Sequence, residues 1–143
     1  MPKRIVFFAA LVLSSLAHAG DLVAVKDAWV RAPVPGAEVA AAYMTLEATA
    51  PVALVGAGSP AAKAVEIHSM SMKNGVMEMR QVPSLEIRPG QPAKLQPGGL
   101  HLMMIDLTRP LKVGDKVEIN LHFSGGKNVK TTQRLSIPVK AAP

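Results

Sequence analysis

Ile67–Gln81 reads IHSMSMKNGVMEMRQ. Its centre, Asn74-Gly75, suits a two-residue type I′ turn, in which both central residues take positive φ. Such a turn sets Lys73 against Val76, and pairing outward then sets Met72 against Met77, Met70 against Met79 and His68 against Gln81. Residues two apart on a strand share a face, so the last six lie together on one side of the ribbon. Ser69, Ser71, Glu78 and Arg80 take the other side, which suits water. Directly opposed Cβ atoms are about 5 Å apart and diagonal ones about 7–8 Å, so His68 and Met79 can converge on one point. The segment is therefore a β-hairpin with a histidine and four thioethers on one face.

The rest of the chain has the same punctuation. Turn residues recur at Pro33 to Gly36, Gly56 to Pro60, Pro89-Gly90, Pro97 to Gly99, Gly114-Asp115 and Gly125-Gly126. The segments between them are short and rich in Val, Ile, Leu, Thr and Met, which predicts an all-β sandwich or barrel. Lys116 to Phe123 is the clearest strand, with Val117, Ile119, Leu121 and Phe123 on one face and His122 on the other. Leu100 to Leu107 is apolar on both faces and reads as a central strand. On it His101 and Met103 point the same way, and the pair is expected at one end of the core beside the Pro97-Gly98-Gly99 turn. Met44 and Met104 read as core. Ser59 to Lys63 reads as one short helical turn, with Ser59 as N-cap and Pro60 at the first helical position.

The N-terminus sets the compartment. Lys3 and Arg4 precede an apolar run from Ile5 to Leu16, and Ala17-His18-Ala19 offers small residues at a cleavage site. This is a secretory signal over 1–19, too short in its apolar part to span a bilayer. Residues 20–143 are expected to form a single domain that starts at Gly20 and carries no membrane anchor once the signal is removed. Without Lys3 and Arg4 the net charge falls from +6 to +4, spread over scattered cations, and aromatic residues are few. A nucleic-acid surface is not expected from that pattern. The chain has no cysteine, which removes disulfides, a lipid-accepting thiol and the thiolate of a blue-copper centre.

Of the seven methionines after residue 19, six fall between Met70 and Met104, beside His68 and His101. Flexible core filler does not call for that concentration. Soft thioethers with imidazole, and without thiolate or carboxylate, select Cu(I) over hard cations and zinc. A thioether has no proton to release, so such a site holds copper until acid protonates the imidazoles. Strand alternation sets Asp106 opposite His101 and His122 in solvent, and Glu66 is expected off the face of His68. No nucleophile–base arrangement or metalloprotease motif is present, so an enzyme is not expected. A periplasmic copper buffer would use the same ligands, and a copper redox enzyme would need harder ligands and an open position.

The spacing His68, ten residues, Met79, twenty-one residues, His101, one residue, Met103 resembles the PCuAC family of periplasmic copper chaperones. The similarity extends to Asp27-Ala28-Trp29-Val30-Arg31, Ala41-Ala42-Tyr43-Met44, Gly75 to Arg80, Pro97 to Met103 and Gly114-Asp115. It implies a cupredoxin-like Greek-key β-sandwich or barrel and Cu(I) held by His68, Met79, His101 and Met103. Met70 and Met77 are possible auxiliary metal ligands. The implied partner is the copper-site subunit of a haem-copper (cytochrome c) oxidase, or another copper-transfer protein, met by a soluble periplasmic monomer. The segment Glu47 to Ala53 departs from the family pattern, as does the lack of a His/Met-rich extension after Lys140, so a further Cu(II) site is not expected.

Overall fold

The structure is a computed structural model that describes residues 22–143. The secretory segment and the expected start at Gly20 lie outside the described residues. Ten strands follow in order: β1 (Val23–Arg31), β2 (Val39–Ala48), β3 (Val52–Gly58), β4 (Ala62–Lys73), β5 (Val76–Gln81), β6 (Leu85–Ile87), β7 (Ala93–Leu95), β8 (His101–Leu107), β9 (Lys116–Ser124) and β10 (Lys130–Lys140). Seven of them close into a barrel in the order β4-β8-β2-β1-β10-β9-β3, with β3 returning to β4. β5 extends the wall beyond β4, while β6 pairs with β3 and β7 with β2. Neighbours distant in sequence, such as β8 between β4 and β2, give the Greek-key connectivity. The all-β expectation holds.

Alternation decides which residues fill the barrel. Val117, Ile119, Leu121 and Phe123 of β9 are all fully buried, as their spacing predicts. Leu102 and Met104 of β8, Ile67 and Val65 of β4, and Met44 and Leu46 of β2 face the same core. β8 is indeed central. His101 and Met103, however, lie on its outward face, so they stand on the wall of the barrel and not at one end of its core. Both faces of β8 are apolar, which left alternation no signal there. At the end of the strand Asp106 is exposed and takes φ 54, a conformation that Asp tolerates better than most residues.

Val23 and Val30 of β1 both reach the core although they are seven positions apart, an odd step that strict alternation would set on opposite faces. A bulge reconciles this. The β1–β2 register shifts between Lys26 and Trp29, with Asp27 at φ 52, and the inserted residue flips the alternation. Trp29 is thereby turned outward, where it pairs with Tyr43.

The expected helical turn at Ser59 to Lys63 is instead a tight turn that runs directly into β4. Ala62 N–H donates to Ser59 O (3.3 Å), and Ala61 N–H donates to Ser59 Oγ (3.1 Å). Ser59 caps as anticipated, but Ala62 is already pairing with Leu107 of β8. The cross-strand ladder captures the residues that a helix would need.

β1 and β10 run parallel but pair only at Val30–Val139 and Arg31–Lys140. At the other end of β1 a side chain closes the seam. Val23 N–H donates to Gln133 Oε1 (3.2 Å), and Gln133 Nε2 donates to Val23 O (2.9 Å). The Gln133 amide, buried at 8 % exposure, thus takes the place of a ladder peptide. Gln133→Leu would leave both Val23 groups without partners, and a buried unsatisfied group costs about 1–3 kcal/mol. The expected result is a lower denaturant midpoint with an unchanged slope. An unchanged midpoint would show that Gln133 does not hold the seam.

Candidate metal centre

The hairpin register is the one that the turn predicts. Asn74 and Gly75 take φ 54 and 75. The β4–β5 pairs are His68–Gln81, Met70–Met79, Met72–Met77 and Lys73–Val76. On the other side of β4, His68 pairs directly with His101 of β8, and Glu66 with Met103. Paired residues share a face, so Met79, His68, His101 and Met103 lie on one outward surface spanning β5, β4 and β8. The two imidazoles are the centre of this group, with ring centroids 5.9 Å apart. Met103 stands one rung to one side of the histidine pair. Met79 stands one rung to the other side, opposed by Met70.

Each histidine is oriented by a different acceptor. His68 Nε2 is 2.8 Å from Glu66 Oε2. This overturns the expectation that Glu66 lies off the His68 face: two residues on one strand share a face, and the carboxylate uses that position to hold the ring. A carboxylate accepts, so Nε2 carries the proton and Nδ1 keeps a free lone pair. His68 Nδ1 is buried and has no hydrogen-bond partner. His101 Nδ1 is 3.0 Å from Gly99 O. A carbonyl only accepts, so Nδ1 carries that proton and Nε2 is left as the basic nitrogen. One unprotonated nitrogen per ring, each fixed by a partner on its other nitrogen, is how ligating histidines are prepared. An unpartnered buried nitrogen is unfavourable in the empty state, and a cation would relieve it.

The wall on the far side of the pair is aromatic. Tyr43 of β2 lies 6.4 Å from His101, and Trp29 of β1 lies 5.0 Å from Tyr43, centroid to centroid. Trp29, Tyr43, His101 and His68 therefore form a row of rings across four strands. This row leaves His101 only 3 % exposed although it faces outward. On the hairpin side the cover ends, and Met79 is 45 % exposed. The site is closed towards β2 and open towards β5. Glu66, Tyr43 and Trp29 were not identified from sequence as parts of it. Strand parity alone identifies Glu66, whereas Tyr43 and Trp29 depend on long-range pairing and on the bulge at Asp27.

His122 is not part of this group: it stands on β9, with β3 between it and β4, and lines a shallow pocket together with Glu66 and Gln81. Its Nδ1 is 3.0 Å from Thr132 Oγ1, and it is exposed, as expected. Among the described residues no three His, Cys, Asp or Glu side chains are grouped to hold an ion. A metal at the histidine pair would draw its further ligands from methionine, and thioether with imidazole suits a soft ion.

Residues 23–135 match the model of the LpqE-like family, described as "Putative lipoprotein LpqE-like". The chain belongs to the LpqE-like family. A relative named "Putative lipoprotein Lxx21020", from Leifsonia xyli subsp. xyli (strain CTCB07), is 35% identical over 121 residues, 84% of this chain and 70% of that protein. The solution structure of CuI-DR1885 from Deinococcus radiodurans is 35% identical, with a TM-score of 0.63 over 87% of this chain and 81% of that one. The apo form of DR1885 is 31% identical, with a TM-score of 0.60 over 98% and 95% of the two chains. A copper-bound PCuAC domain from PmoF2, 24% identical, has a TM-score of 0.66 over 85% of this chain and 94% of that one, a likeness of fold. The LpqE-like chain thus has the cupredoxin-like barrel of PCuAC domains, as the resemblance implied, while its matching family carries a different name.

The two acceptors predict opposite tautomers in this LpqE-like protein. At a pH where both rings are neutral, nitrogen–proton correlation spectra should show His68 protonated on Nε2 and His101 on Nδ1. Glu66→Ala should leave His68 as a mixture of tautomers without changing His101. The reverse pattern, or no response to Glu66→Ala, would contradict the assigned roles.

Proposed function

We propose that this chain is an exported copper chaperone that holds one Cu(I) through His68, Met79, His101 and Met103. It delivers the ion to the binuclear copper site of a haem-copper (cytochrome c) oxidase. The observation that carries this reading is the opposed histidine pair with its prepared lone pairs, the buried His68 Nδ1 above all. Thioethers on both sides of that pair favour Cu(I) over Cu(II) and Zn(II). Copper is cargo here, and the protein is a carrier with no catalytic role.

The arrangement suits release as well as capture. Met79 is the outermost ligand, on a strand with no further neighbour beyond it among the described residues. An acceptor thiolate can approach from the β5 side and displace a thioether while the histidines still hold the ion. Thiolates bind Cu(I) more strongly than neutral sulfur, so the transfer runs downhill without unfolding the donor. The CuI form of DR1885 supports the choice of ion, and relatives named as lipoproteins support export. A lipoprotein's acyl acceptor is a cysteine, which these 143 residues lack, so cleavage before Gly20 would release a periplasmic monomer.

Titration against a competing chelator should give one tightly bound Cu(I) per chain and much weaker Zn(II). Met79→Leu and Met103→Leu should each weaken Cu(I) binding while costing less than about 1.5 kcal/mol of stability, because volume is nearly conserved. His122→Ala should bind as the parent does. Loaded protein should metallate the soluble copper domain of an oxidase subunit faster than chelated Cu(I) does, read from the acceptor's visible absorption. Slower metallation would mark a buffer and remove the delivery role while leaving the copper centre in place.

A further inference from the structure

Beyond the His68–His101 pair the outward face of the hairpin is made only of methionine. Met70 opposes Met79 at the first rung, and Met72 opposes Met77 at the next. The tip pair is strongly exposed, Met72 at 64 % and Met77 at 59 %. Exposed apolar residues scattered singly need no explanation, but four on one face of a protruding ribbon are not scattered. They fill no core, since none of the four is buried. The charges of the hairpin lie on its reverse face, where Glu78 and Arg80 are paired at 3.2 Å. At these two rungs the face therefore offers neutral sulfur and nothing that a hard cation could use.

We infer that Met72 and Met77 form a second, weaker Cu(I) station at the hairpin tip. Incoming Cu(I) is taken there first and passed by the Met70–Met79 pair to the histidine centre. This inference rests on the copper reading above. Successive rungs are about 7 Å apart, two residues along a strand, and methionine has three rotatable bonds, so sulfurs of neighbouring rungs can approach one ion in turn. Each step replaces one Cu–S bond by another. Copper remains Cu(I), and no proton moves because a thioether carries none. The tip has two sulfurs and no imidazole, so it holds the ion less firmly than the centre, and passage inward is downhill. Leucine would give the same apolar surface without this property, which separates a metal track from a surface for protein contact.

The test uses the full mature chain with carbon-13-labelled methionine methyl groups, titrated with Ag(I) as a redox-inert probe of the same softness and then with Cu(I) without oxygen. The first equivalent should move the methyl resonances of Met79 and Met103. Further equivalents should move those of Met72 and Met77. In Met72→Leu/Met77→Leu, capture of Cu(I) from a chelate should slow severalfold, with the competition endpoint for the first ion measured alongside. If excess Ag(I) and Cu(I) leave the Met72 and Met77 methyls unmoved, or if the double variant captures Cu(I) at the parent rate, the tip station is overturned. A loss of first-ion affinity as large as the loss of rate would place these residues in the centre itself and equally overturn a separate station. Failure of the first equivalent to move Met79 and Met103 would instead count against the copper centre, and the tip resonances would still judge the tip.

Discussion

The register of β4 is the constraint on which everything else depends. It is the longest strand, and it pairs with β5, β8 and β3. Its inward residues Val65 and Ile67 belong to the core, while Glu66, His68 and Met70 face outward. A slip of one residue would exchange these two sets, burying a carboxylate and an imidazole and exposing the core. Two independent features hold the register. Asn74-Gly75 fixes β4 against β5, and the ladder from Ala62–Leu107 to His68–His101 fixes it against β8. The stability of the barrel and the opposition of the two histidines are thus the same fact.

The site balances firmness against access by using the two sides of the histidine pair differently. Towards β2 the Trp29–Tyr43–His101 row excludes water, and Gly99 O fixes the inner ring. Towards β5 the wall is a two-stranded ribbon, its outer edge unpaired among the described residues, and its methionines are accessible. Rigid imidazoles on the closed side and flexible thioethers on the open side suit an ion that must be selected and then surrendered. A thiolate or carboxylate in the open positions would bind harder and release more slowly, or would admit other metals.

Much of this was legible in the sequence wherever a local rule decides the outcome. The turn chemistry of Asn74-Gly75 gives every β4–β5 pair, and strict alternation gives the buried face of β9. Legibility ended where long-range contacts decide. β8 is apolar on both faces, so alternation could not say that Leu102 and Met104 face inward and His101 outward. The bulge at Asp27 flips the parity of β1 and turns Trp29 towards Tyr43, and its effect emerges only once β1 and β2 are paired. The Ser59 turn has a sound helix-start signature, yet β8 recruits Ala62 into the sheet. Glu66 is a different case. The same parity that placed Met70 beside His68 also places Glu66 there, and its role as acceptor for Nε2 follows from applying that rule consistently.

A carrier of this design holds one soft ion between the two prepared histidine nitrogens on the outer wall of the barrel. The most direct measurement is a crystal structure of the protein loaded with one equivalent of Cu(I), with anomalous scattering recorded at the copper edge. One dominant anomalous peak is expected within bonding distance of His68 Nδ1 and His101 Nε2, with methionine sulfur completing the ligand set. A dominant peak at His122, or ligation of His68 through Nε2 with Glu66 displaced, would contradict it.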